Sequence, residues 1–146
     1  MSQAETVGDL ERSVGYVLKQ AQAALRAAME EVLRPLQLTM PQYACLELLS
    51  RRSGQSSAEL ARGAFVTRQS MNEVLHGLHD RGLVTRPTAV DHGRALPTYL
   101  TPEGCRTLSA ASAAVVGVER RMLAPLTTEN QQRLLEDLAA CALAVA

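Results

Sequence analysis

Thr67-Arg68-Gln69-Ser70-Met71-Asn72-Glu73-Val74-Leu75-His76 gathers two hydroxyls, a guanidinium and two carboxamides into a few helical turns. Arginine can grip guanine O6 and N7 with two hydrogen bonds, and asparagine or glutamine can do the same to adenine, so this mixture suits base edges in a DNA major groove. Orientation decides whether it can act. Met71, Val74, Leu75 and Leu78 recur at the spacing of one buried helical stripe, which turns Gln69, Asn72, Glu73, His76 and Asp80 to the far side and sends Arg68 out laterally. A helix entering a groove by its N-terminus would then present Thr67, Arg68, Gln69, Ser70, Asn72 and Glu73, with His76 further along. The second candidate group is His92-Gly93-Arg94, where a guanidinium at a hairpin tip can lie in a minor groove or pair with phosphate. Alone, each group would read as a solvated surface; their order along the chain favours the DNA reading.

Those side chains need elements to hold them. Thr67 is the expected cap of a helix ending near Asp80, with Gly82 free to take the left-handed conformation that closes it. Upstream, Ser56-Ser57-Ala58-Glu59 has the form of a capping box and opens a short helix, Ala58–Gly63, with Ala64-Phe65-Val66 as the turn between the two. Downstream, Leu83–Pro87 and Leu96–Leu100 are strand-like runs separated by Thr88–Ala95, and Pro97 marks its strand as an edge or a bulge. Helix, turn, helix and hairpin in that order describe a winged helix-turn-helix.

The flanks predict four more helices. Leu10, Val14, Val17, Ala21, Leu25, Ala28 and Val32 predict a long amphipathic helix over Asp9–Leu33, stopped before Pro35. Thr39-Met40-Pro41-Gln42 is a second capping box, opening a helix to about Arg52 that buries Tyr43, Leu46, Leu49 and Leu48. Thr101-Pro102 starts a fifth helix with Leu108, Ala111, Val115, Val118 and Met122 on one side. Thr128-Glu129-Asn130-Gln131 opens the last, carrying Leu134, Leu135, Leu138 and Leu143. These outer helices hold more apolar surface than a small winged helix can cover, so a two-fold dimer through both ends of the chain is expected.

Composition is consistent with this layout. The 146 residues include no Trp, one Phe and three Tyr, so the core must be aliphatic and the fold mainly helical. Fifteen basic and fifteen acidic residues cancel, which excludes a general polyanion binder. Arg51–Arg106 nevertheless holds eight arginines against five carboxylates, a basic centre between acidic ends. The three cysteines, Cys45, Cys105 and Cys141, are too dispersed for a disulfide framework or zinc ribbon and read as small core or interface residues in a reducing cytoplasm. His76 and His79 lack a ligand set, so neither a metal nor another cofactor is expected. No catalytic residues are expected either, because there is no phosphate loop, nucleophile elbow or carboxylate pair. Residues 1–20 show no signal-peptide core, and the longest apolar run, Leu138–Ala146, is too short to span a membrane.

Nearly the whole chain resembles the MarR (multiple antibiotic resistance regulator) family. The resemblance lies in an ordered series: Leu38-Thr39-Met40-Pro41-Gln42-Tyr43, Ser57-Ala58-Glu59-Leu60-Ala61, Val66-Thr67-Arg68-Gln69-Ser70-Met71-Asn72, Leu78-His79-Asp80-Arg81-Gly82-Leu83-Val84, Gly93-Arg94 and Leu100-Thr101-Pro102-Glu103-Gly104. It implies a homodimeric winged-helix regulator, usually a repressor, that binds a pseudo-palindromic operator and is released by a small phenolic or lipophilic effector. It also places the recognition helix on Thr67–Asp80 and the wing-tip arginine on Arg94. The chain departs from the family where an aspartate often stands two residues before that arginine, having His92 there and Asp91 one place earlier. The expected organisation is one continuous domain: an N-terminal dimerisation helix over 1–36, a DNA-binding lobe over 37–104 and C-terminal dimerisation helices over 105–146. Tyr16, Tyr43 and Leu46 are candidates to line an effector cleft between the lobe and the dimer helices. Two other readings stand beside this one: a winged helix that binds protein, and a regulator that senses oxidation through cysteine.

Overall fold

A computed structural model describes residues 8–87 and 96–146. Its elements are α1 (Val14–Leu33), α2 (Met40–Arg51), α3 (Ser57–Ala64), α4 (Arg68–Asp80), β1 (Val84–Thr85), β2 (Tyr99–Leu100), α5 (Pro102–Leu123) and α6 (Thr128–Val145). The fold is mainly helical with a two-stranded antiparallel hairpin, as the patterning predicts. Among the described residues no helix is long and apolar enough to cross a membrane.

Side-chain caps explain most helix starts. Thr39 accepts the Gln42 amide while the Gln42 side chain accepts from the Thr39 amide, a complete capping box at the head of α2. Ser56, Thr67 and Thr101 each accept from the amide three residues on, opening α3, α4 and α5. Three starts differ from expectation, α3 only by beginning at Ser57 rather than Ala58. Asp9 accepts from Glu11 N–H and closes a separate 3-10 turn over Leu10–Arg12, so Ser13 is left extended and α1 begins only at Val14. At α6 the cap is Thr127, one residue earlier than expected, and Gln131 reaches back to the Leu123 and Leu126 carbonyls that end α5.

The hairpin is shorter than its apolar runs suggest. Val84 pairs with Leu100 and Thr85 with Tyr99, while Pro87 and Pro97, which have no amide to donate, lie outside the ladder. A third segment joins it: Gln55 bridges Thr98, with Thr98 N–H donating to the Gln55 carbonyl. Buried Gln55 also donates its Nε2 to the Leu48 and Arg52 carbonyls, capping the end of α2. The wing base is thereby tied to the helix-turn-helix.

The core fills the space between α2, α3, α4, the hairpin base and the first two-thirds of α5, with Leu33 entering from α1. Leu46, Leu49, Leu60, Met71, Leu75, Leu78, Val84 and Leu108 lie inside, whereas Tyr43 and Leu48 are only half-buried, at the core's margin. Packing stops towards the other end. Met122 and the α6 leucines Leu134, Leu135, Leu138 and Leu143 are exposed, and α6 buries no residue at all.

Candidate nucleic-acid interface

α3 closes with Phe65 N–H on the Arg62 carbonyl and Val66 N–H on the Ala61 carbonyl, and Phe65 takes a left-handed backbone with φ 58°. That reversal delivers the chain to Thr67, whose Oγ1 accepts from Ser70 N–H at 3.0 Å. One side of α4 then seals onto the core through Met71, Leu75 and Leu78. The other side is open. Thr67, Arg68, Gln69, Ser70, Asn72, Glu73 and His76 are all exposed, and the unpaired amides of the first turn lend that end a partial positive charge. Among the described residues Arg68 joins no ion pair, so its guanidinium is available. His76 Nε2 instead lies 3.4 Å from Asp80 Oδ2, further down the helix. His92 and Arg94 lie outside the described residues.

The wing base is built from below. Arg86 donates Nε to Thr98 Oγ1 at 3.0 Å, and burial lowers the guanidinium's pKa. Cys45 lies close enough to be felt electrostatically; its burial pushes the thiol pKa up to about 12. A thiol held protonated is a poor nucleophile, so Cys45 acts as a small core residue. Cys105 and Cys141 are exposed.

The effector candidates do not converge. Leu46 is fully enclosed in the core, Tyr16 is exposed on α1, and only Tyr43 stands near a cleft. That cleft, about 370 Å³, lies between α2, β2 and α5 and is lined by Glu47, Ser50, Arg51, Cys105, Leu108 and Ser112, among others. Glu47 pairs with Arg51 at 2.8 Å and accepts from Ser112 Oγ at 3.3 Å. Burial, helped by the Glu47 carboxylate, raises the Tyr43 hydroxyl pKa against the opposing Ser112 hydrogen bond. The sequence reading missed Arg51, Ser50 and Ser112, whose joint placement depends on how α2 crosses α5. No group of three or more metal-ligating side chains comes together among the described residues.

The sequence pattern of the MarR family matches residues 36–95, which include α2, α3, α4 and β1. The HTH-type transcriptional repressor Rv2887 of Mycobacterium tuberculosis is 46% identical over 128 residues, covering 86% of this chain and 92% of that protein. The chain belongs to the MarR family. Crystal structures of Rv2887 share its architecture. The complex with salicylic acid superposes with a TM-score of 0.74 at 44% identity, covering 91% of this chain and 99% of that one. The complex with DNA gives a TM-score of 0.74 at 42% identity, covering 86% and 96%. The winged helix described above is therefore the fold of a MarR-family transcription regulator.

Proposed function

We propose that two copies of this chain bind a pseudo-palindromic operator in the cytoplasm and repress transcription, with no catalytic step. The observation that carries this is α4 itself: its apolar stripe is sealed inward while Thr67, Arg68, Gln69, Ser70, Asn72 and Glu73 stand exposed at its capped end. Arg68 reads guanine and Gln69 or Asn72 reads adenine, while Thr67, Ser70 and the helix amides hold phosphate and His76 lies at the groove's margin. Arg94, with His92, reaches the flanking minor groove or backbone. Rv2887, whose chain shares this fold, has been crystallised with DNA, which supports the reading.

Residues 37–104 form the DNA-binding lobe, and the segments 1–36 and 105–146 form the dimer. The support is the apolar face left open by one copy: Leu10, Val14, Val17, Leu18, Met122, Leu134, Leu135 and Leu138 are all exposed. Several line one groove between α1, the end of α5 and α6, which the partner's helices fill. A small aromatic acid then enters the Arg51 cleft and changes the angle between lobe and dimer helices; salicylic acid bound to Rv2887 supports that ligand class. The test is a band-shift with the DNA upstream of the chain's own gene, repeated with salicylate. A shifted band that salicylate weakens is expected; failure of the chain to retard that DNA would refute the proposal.

A further inference from the structure

Three helices end with the same pair of backbone hydrogen bonds and one left-handed residue: Gln37 after the 3-10 turn that extends α1, Phe65 after α3 and Gly82 after α4. Glycine suits that position because it has no Cβ to strain the backbone. At Phe65 the backbone therefore favours glycine, and packing gives no reason for an aromatic ring. Phe65 is 95% exposed, the most open large apolar side chain among the described residues, and it is the chain's only phenylalanine. Neither local conformation nor the core accounts for it. Its position does: it stands two residues before Thr67, at the end of α4 where Arg68 and Gln69 project.

We propose that Phe65 is a specificity residue that packs its ring against a thymine 5-methyl group in each half-site; this rests on the DNA-binding reading above. The thymine methyl is the one apolar group on the major-groove base edges, and an exposed ring continuous with the Arg68 end of α4 meets it with no polar group to desolvate. Removing that contact loses the burial of about one methyl group, about fourfold in affinity per half-site.

The experiment compares native protein, Phe65→Gly and Arg68→Ala on the upstream duplex, with each thymine replaced singly by deoxyuridine, which lacks only the methyl. Phe65→Gly is expected to melt no lower than native, since it relieves the left-handed strain, yet to bind about fourfold more weakly per half-site with an unchanged salt dependence. One symmetric pair of uracil substitutions weakens the native protein by the same factor and leaves Phe65→Gly unaffected. Native-like binding by Phe65→Gly while Arg68→Ala is impaired would overturn this proposal alone, as would an undiminished uracil penalty in Phe65→Gly or a lowered melting temperature. Absence of DNA binding by the native protein would instead overturn the reading on which it rests.

Discussion

Arg68 illustrates how side-chain availability follows from packing elsewhere. It joins no ion pair among the described residues and projects outward because Met71, Leu75 and Leu78 fix the rotation of α4, whose start Thr67 sets by accepting the Ser70 amide. Arg68→Ala is expected to cost ~1–3 kcal/mol of specific binding and to relax preference at one base position, measured by competition among operator variants. Arg94→Ala is expected to weaken binding evenly across sequences and to flatten its dependence on salt. The Arg52–Glu59 pair links stability to pH. The hydrogen bond from Arg52 holds the Glu59 carboxyl below its ordinary 4.5, so the pair's contribution is full above that value and is lost as pH falls through the lower folded value. Glu59→Gln is therefore expected to lower the melting temperature at pH 7, with the gap from native narrowing as pH falls below 4.5, as read by thermal melts. The exposed set on α4 was legible because apolar spacing alone determines which way a helix faces. Phe65 was not, since nothing in Ala64-Phe65-Val66 announces a positive φ on a bulky residue.

At the scale of elements, the segment Leu100–Gly104 joins the wing to α5 by close contact. Thr101 accepts from Gly104 N–H, donates its hydroxyl to the Gly82 carbonyl and gives its amide to the Leu83 carbonyl. A Cβ on Gly104 would stand 2.1 Å from that same Leu83 oxygen, so only glycine lets α5 lie this close to the strand. Gly104→Ala is expected to destabilise the protein by about 1–3 kcal/mol despite alanine's better helix propensity, measured by chemical denaturation. The caps of α2 and α3 were readable because Ser/Thr-x-x-Glu/Gln spacing reports a local hydrogen bond, whereas the same spacing at Thr128–Gln131 pointed one residue past the true cap, Thr127. Two features escaped that logic. The Gln55–Thr98 bridge joins residues 43 positions apart, and the start of α1 turned on competition between Asp9 and Ser13, neither of which apolar periodicity can report.

The whole molecule is unevenly packed: one end has a closed aliphatic core, and the other is a pair of helices whose apolar sides face solvent in a single copy. Excess apolar surface on the outer helices was visible in the sequence, although the cleft beside Arg51 was not, because it depends on the crossing of α2 and α5. Leu138→Glu, placed in the groove beside Val14, Val17 and Met122, is expected to yield monomers in sedimentation and to abolish tight operator binding while the lobe stays folded. The central claim, a paired chain with the start of each α4 on base edges, is tested most directly by methylation interference on the upstream duplex. Methylation at guanine N7 blocks an arginine approaching through the major groove without altering the phosphates. The account predicts two clusters of interfering guanines about one helical turn apart, ~34 Å, both lost when Arg68→Ala is used. A single cluster, or interference that Arg68→Ala leaves untouched, would contradict it.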